Sequence, residues 1–279
     1  MQTKNKKKVI LLTGSEVRHN YFRVKIAQDK RFNVICSYCE KDDMSLKKRI
    51  LSDKDSSLLQ IKHAKDREIN EKKYFSKYIS EINDYSNPIY IDKGDINNEY
   101  VISQIEDFAP DILVCYGSSL IKGRLIKKYK RNFLNVHLGL SPYYRGSGTN
   151  IFPIINNELH MIGATFMYLD SGIDTGKIIH QIRPDLKEDD SPHTIGNRLI
   201  AEMIHCYSNI IANHEYLTDE EQPREKGLLY YRKDFNNLVC EKLYDQLSKG
   251  IIKSYLNDYE IKKNNFPYIV KNKGLEISI

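Results

Sequence analysis

Residues 111–137 read DILVCYGSSLIKGRLIKKYKRNFLNVH, and their reading decides the fold class. Residues 111–116 form a short, branched, apolar run that stops at Gly117, the pattern of a buried strand. Residues 121–129 read as a helix, and residues 133–137 as a second strand. A strand, a helix and a strand in that order predict parallel pairing, because parallel neighbours need a crossover connection. The same alternation extends upstream. Residues 9–12 make a strand ending at Thr13-Gly14-Ser15, residues 18–28 a helix, 33–37 a strand, 88–91 a strand and 98–108 a helix. Between them, the lysine- and glutamate-rich residues 45–85 predict one long or two shorter helices with a solvated face. Downstream come a glycine-containing loop (139–148), a helix over 149–156, strands at 162–169 and 177–182, and helical spacing over 192–213. The reading is an α/β protein with a doubly wound, mostly parallel sheet over residues 1–215. A small C-terminal extension over 216–279 carries a helix near 238–248. In such sheets ligands bind beyond the carboxyl ends of the strands, so Gly14-Ser15, residues 116–121 and His137 onward are the places to search.

Composition narrows the class. The 279 residues are 41% hydrophobic and 29% charged with net charge +6, ordinary values for a globular chain with an ample core. The basic surplus is mild and spread out, so it predicts a solvated surface and no DNA partner. The basic start followed by residues 9–12 is too short for a signal peptide, and no run approaches the roughly 18 apolar residues of a membrane span. A cytoplasmic protein with no membrane partner is expected. The five cysteines are scattered, and Cys36 and Cys39 form a CxxC without a second pair, so core packing and no metal are expected. His160, His180 and His193 are dispersed without ligand spacing.

The chemistry is concentrated in two segments, FLNVHLGLSPYYRGSGTN (133–150) and GATFMYLDSGIDTGKIIH (163–180). In a strand over 133–137, Asn135 and His137 share one face. An amide and an imidazole suit a core poorly, since each would cost about 1–3 kcal/mol if buried unpaired. They suit a site that stabilises an oxyanion and relays a proton. The glycines and Pro142 beyond them let the backbone turn and approach a ligand. Asp174, flanked by Gly172 and Gly176, would alone read as a turn residue.

Taken together, the NxH on a strand, the glycine-rich turn and the GxTxxxxDxGxDTGxII segment resemble the 10-formyltetrahydrofolate-dependent formyltransferases. That family includes the glycinamide ribonucleotide, methionyl-tRNA and sugar N-formyltransferases. The resemblance is clear over residues 111–182, looser over 8–28 and absent beyond about 215. It implies a Rossmann-like formyltransferase fold and 10-formyltetrahydrofolate as co-substrate, with no metal. It implies Asn135, His137 and Asp174 as catalytic residues. The stretch containing Ser118, Ser119, Leu120 and Ile121 would line the pterin pocket, and Asp170, Ser171, Gly172 and Ile173 would close over the pterin through backbone groups. The run after His137 is Gly139-Leu140-Ser141-Pro142, where the family usually has Ser-Leu-Leu-Pro. By this reading Asn135 and a protonated His137 donate hydrogen bonds to the developing oxyanion, while Asp174 keeps the imidazole protonated and helps remove the amine's proton.

The acceptor is read as a small-molecule amine, most simply a phosphate-bearing, nucleotide-linked amino sugar. Ser15, Arg18 and His19 would meet its phosphate at a helix start. Tyr143 and Arg145 would shape its cleft. Methionyl-tRNA and glycinamide ribonucleotide are alternative acceptors. The tail shows too few alternating strand patterns and no basic, aromatic-interleaved stripe for tRNA. An inactive folate-binding protein of the same fold would be expected to have lost one of the three polar residues. A nicotinamide enzyme is disfavoured by the missing GxGxxG. A homodimer is left open.

Overall fold

A computed structural model describes residues 6–41, 46–223 and 227–278. The chain runs β1 (Lys7–Gly14), α1 (Val17–Ala27), β2 (Phe32–Glu40), α2 (Leu46–Ser52), α3 (Leu58–Glu81), β3 (Pro88–Ile91), α4 (Glu99–Asp107), β4 (Ile112–Tyr116), α5 (Arg124–Tyr129) and β5 (Phe133–His137). It continues with β6 (Tyr144–Gly146), α6 (Phe152–Ile155), β7 (Ala164–Tyr168), β8 (Ile178–Ile182), α7 (Pro192–Asn213), β9 (Leu228–Tyr230), α8 (Asn237–Ser248) and α9 (Ile251–Lys262). Seven strands form one sheet in the order β3-β2-β1-β4-β5-β7-β8. The first five are parallel, and β7 and β8 are antiparallel. This is the doubly wound, mostly parallel sheet that the alternation predicts. The winding direction reverses between β1 and β4, which opens a crevice beyond Gly14 and Gly117.

Strand alternation builds two cores. Val9 and Leu11 pack with Phe22, Ile26, Phe75, Met203 and Tyr207 under α1, α3 and α7. Ile10 and Leu12 pack with Val101, Ile105, Leu125 and Phe133 under α4 and α5. All four β1 residues are fully buried. Each contributes about 1.5–3 kcal/mol relative to an exposed side chain, which fixes the strand at the sheet centre.

The lysine-rich stretch resolves into two helices, the second capped by Ser57, whose hydroxyl accepts from Gln60 N at 3.2 Å. Ser45, the first residue of that stretch, lies outside the described residues. The helix expected over 121–129 is trimmed at its start. Gly117 and Gly123 hold φ values of 75° and 71°, which keep the backbone between them a loop. The helix expected over 149–156 shrinks to α6, a single turn. The three-residue strands β6 and β9 pair in parallel as a separate two-stranded sheet, too short for any periodicity to announce them.

The residues after 215 join the main body. Phe235, Cys240, Leu243, Ile251 and Ile252 belong to the α1/α3/α7 core. Val270 exchanges hydrogen bonds with Gln181 on β8, donating to its Oε1 at 2.9 Å and accepting its backbone N–H at 2.8 Å. The cysteines pack as expected: four are buried and Cys206 is partly so. Burial pushes the Cys36 thiol up to about 12 and Cys39 to about 11, which keeps both inert as nucleophiles. No helix among the described residues is long and apolar enough to cross a membrane.

Candidate active site

Asn135 and His137 stand at the carboxyl end of β5, on the face shared with Phe133. Asp174 reaches them from the loop between β7 and β8. Its Oδ2 lies 3.2 Å from His137 Nδ1. The opposite ring nitrogen, Nε2, lies 3.0 Å from the Tyr144 carbonyl oxygen. Both ring nitrogens therefore face acceptors, of which a singly protonated ring can donate to one and a doubly protonated ring to both. The three polar groups that the sequence separates are brought together. His137 differs from expectation in one respect: both of its ring nitrogens already have partners. Donation to a substrate oxygen requires Nε2–H to leave Tyr144.

Asp174 is held from three directions. Its Oδ2 also accepts Gly146 N–H at 2.9 Å. Gln222 Nε2 donates to the Asp174 and Gly176 carbonyls at 2.9 and 2.8 Å. Its φ of 53° is left-handed, a region aspartate tolerates better than most residues. Among the described residues, no hydrogen bond engages Asp174 Oδ1 or the Asn135 amide, and both residues line the main cavity.

That cavity, about 610 Å³, has two arms. One lies on the α4/α5 side, where Ile121 and Leu169 join that core. Here Ser118, Ser119, Leu120 and Ile121 face Asp170, Gly172 and Ile173 across it. Buried Glu40, at the end of β2, fastens the first loop. Its carboxylate accepts Ser119 N–H at 2.5 Å and Gly94 N–H at 2.8 Å and pairs with Lys93 at 2.9 Å. The second loop folds on Asp170, whose Oδ1 accepts from Gly172 N at 3.0 Å and Thr175 Oγ1 at 2.8 Å. Asp170 is thus a loop organiser, and Ser171 is exposed away from the cavity lining.

The other arm lies on the α1/α3/α7 side, where Phe235 belongs to that core. His63, Arg49 and Arg67 line it from α2 and α3, and His193 and Asn197 from α7. The residues assigned to the acceptor by sequence are distributed differently. His19 borders the cavity, but its ring is a wedge between two strand ends. A Cβ on Gly14 would come within 2.5 Å of its Nδ1, and one on Gly117 within 2.3 Å of its Nε2. Its Nδ1 accepts Glu16 N–H at 3.3 Å. Burial, with Arg18 and Arg67 close by, drives its pKa well below the usual histidine value, so the ring is neutral. Arg18 is committed to Glu71, at 3.0 and 3.2 Å, and to Glu16. The N-cap of α1 is itself an acid, Glu16, so this helix start is already complemented by negative charge. Ser15 lines a separate cavity of about 450 Å³ beside α2 and α3. Tyr143 and Arg145 do not line the main cavity. The Tyr143 hydroxyl donates to the Tyr268 carbonyl at 3.1 Å, and Arg145 is buried on β6 with no partner for its Nε among the described residues.

Arg18, Glu71 and Arg67 form a charge chain in which Glu71 is buried and both arginines are partly buried, with Arg67 Nε 3.0 Å from Glu71 Oε1. Burial opposes ionisation of Glu71, but Arg18 and Arg67 outweigh it and hold the carboxyl below the usual glutamate range. Glu71→Ala is expected to destabilise the fold by about 3–5 kcal/mol, because it leaves partly buried Arg18 short of its main counter-ion. Urea unfolding measures this. A depressed pKa contributes stability above the unfolded value of about 4.3 that is lost as pH falls through the folded value. Wild type should therefore lose more stability below that pH than Glu71→Gln does.

Glu40, Glu71 and Gln222 were not anticipated. Glu40 could have been, since it ends a parallel strand. The other two carry no local signal.

Residues 6–211 match the family described as formyl transferase. A methionyl-tRNA formyltransferase of Desulforamulus reducens is 30% identical over 175 residues, covering 56% of this chain and 54% of that protein. A GDP-perosamine N-formyltransferase of Brucella melitensis is 35% identical over 96 residues, covering 34% of this chain and 37% of that protein. Among solved structures, a 4-N formyltransferase of Francisella tularensis aligns with TM-score 0.52 at 20% identity, over 82% of this chain and 78% of that one, a likeness of fold. The chain spans about half the length of the first of these relatives. With the strand-borne amide and imidazole, the loop-borne carboxylate and a family match over residues 6–211, the chain belongs to the formyl transferase family.

Proposed function

We propose that this protein transfers a formyl group from 10-formyltetrahydrofolate to the amine of a nucleotide-linked amino sugar. The observation that carries the reading is the His137–Asp174 pair beside Asn135 at the junction of two cavity arms. The co-substrate supplies a formyl carbon activated by its attachment to N10, and the arm between residues 118–121 and 170–173 suits its pterin.

The chain's own groups do the rest. As the amine attacks, negative charge builds on the formyl oxygen, and the Asn135 amide is free to donate to it. The imidazolium of His137 lies beside it as a fixed positive charge. The new N–C bond forms as the bond from carbon to N10 breaks. The amine's proton passes to Asp174 Oδ1, directly or through water, and from there to N10, so that tetrahydrofolate leaves protonated and the carboxylate is restored.

An acceptor arm narrow enough to be lined by His63, His193, Asn197 and Phe235, with Arg49 at its side, suits a sugar carrying a phosphate. The match to the Brucella GDP-perosamine enzyme supports the same class. The longer match to methionyl-tRNA formyltransferase favours a second reading, with a charged tRNA as acceptor. Purified protein given 10-formyltetrahydrofolate with GDP-perosamine, UDP- and dTDP-linked 4-amino sugars, glycinamide ribonucleotide or methionyl-tRNA separates the two. A nucleotide sugar gaining one formyl group is expected. Turnover confined to methionyl-tRNA or glycinamide ribonucleotide would refute the proposal.

A further inference from the structure

The acceptor arm contains a feature that the transfer chemistry does not use. His63 on α3 is fully buried and His193 on α7 is nine-tenths buried, and both line the main cavity. Their ring centroids are 4.7 Å apart, and Phe235 stands 4.9 Å from His63 on its other side. His63 Nδ1 is engaged by the Tyr244 hydroxyl at 3.1 Å. The Nε2 atoms of both rings are enclosed and have no hydrogen-bond partner among the described residues. Enclosed polar atoms are nearly always hydrogen-bonded in folded proteins, so two at one place on a cavity wall mark a missing polar partner.

We propose that His63 and His193 form the subsite that reads a neutral hydroxyl of the acceptor's sugar ring. This rests on the amino-sugar reading and deepens it. Burial pushes the two imidazoles down to about 3 and about 4, with Arg67 acting in the same direction on both. Both rings are therefore neutral near pH 7. A neutral imidazole offers one donor or one acceptor at Nε2, which complements a hydroxyl, a group that both donates and accepts. It does not complement a phosphate or carboxylate, which calls for positive charge. On the same lining Arg18 and Arg67 are paired with Glu71, whereas Arg49, partly buried on α2, has no ion pair among the described residues. The arm thus separates a hydroxyl-reading pair from a phosphate-reading arginine, as a nucleotide-linked sugar requires. The assembly also gives two segments a shared task. His63 comes from the charged helical stretch, and Phe235 and Tyr244 come from the residues after 215.

The test uses His193→Ala, with His63→Gln as a conservative partner that keeps a polar side chain at the fully buried position. Each variant is first checked for wild-type melting behaviour and for unchanged KM for 10-formyltetrahydrofolate. Each is then assayed with GDP-perosamine and with UDP- and dTDP-linked 4-amino sugars, and with the corresponding ring-deoxy analogues. Acceptor KM should rise about tenfold with kcat nearly retained, and the preference for hydroxyl-bearing over deoxy acceptors should shrink by a similar factor. Calorimetric titration with the same nucleotide sugars reads the subsite without catalysis. Sugars that bind wild type and are weakened by the variants, even if none is formylated, support the subsite while refuting the functional reading. Unchanged acceptor KM and unchanged deoxy discrimination in a folded His193→Ala would overturn the subsite and leave the pair as water-bridged core histidines. So would failure of every one of these sugars to bind wild type.

Discussion

His137→Ala is expected to lower kcat by about 100- to 1,000-fold, the usual effect of removing one group that stabilises developing negative charge. In the proposed mechanism the ring is a cation, set between Asp174 Oδ2 at 3.2 Å and the Tyr144 carbonyl at 3.0 Å. Truncation removes the cation and leaves both acceptors short of a donor. The KM for 10-formyltetrahydrofolate should change little, because the arm proposed for the pterin is lined by residues 118–121 and by Asp170, Gly172 and Ile173 on other loops. Asp174→Asn is the sharper test of how the charge is maintained. It keeps the size of the side chain but removes the negative charge facing Nδ1 and takes away a proton acceptor at Oδ1. A loss comparable to that of His137→Ala is expected, and the double variant should be little worse than either single one, since the two act as a unit. Stopped-flow or steady-state measurement of tetrahydrofolate release gives both numbers. Full turnover by Asp174→Asn would defeat the assignment.

Gly146→Ala should have the second largest effect, and for a reason that lies in the backbone and in no side-chain contact with a substrate. Gly146 has φ of 92°, and a Cβ there would come within 2.0 Å of the Tyr230 carbonyl oxygen. Its N–H is the donor that holds Asp174 Oδ2 at 2.9 Å. An alanine must therefore adopt a left-handed backbone, push β9 away or surrender the Asp174 contact. The strain alone costs about 1–3 kcal/mol. Gly250 supplies a control, since its φ is 73° but nothing lies within 4 Å of a Cβ placed there. Gly250→Ala should lower stability by strain and leave kcat intact. Gly146→Ala should lower both, which thermal melting and turnover together would show. Equal kcat in the two variants would mean that the Gly146 amide does not position Asp174.

The separation between the two predictions follows what could be read from the chain. Asn135 and His137 were visible because a strand of five residues exposes its own alternation. Two polar side chains on one face, at the carboxyl end of a parallel strand, stand out against apolar neighbours. Asp174 was visible only through its motif, because a glycine-flanked aspartate has no periodicity to mark it. The acceptor side was misread for a related reason. Arg18 and His19 follow a strand-ending glycine, where a phosphate would be sought, but long-range partners claim them first. Glu71 arrives from a helix about fifty residues away to take Arg18, and Gly117 arrives from β4 to clasp His19. Nothing local could announce either contact.

By itself the sequence determined the layered α/β architecture and the face on which the amide and imidazole stand, because apolar periodicity and strand alternation are short-range properties. The tertiary structure alone decided which ring nitrogens of His137 are spoken for, which arginine is left for a ligand, and that two dispersed histidines share one wall of the cavity. Those outcomes depend on where separate segments cross, and burial of charge and hydrogen-bonding groups is settled at the crossings.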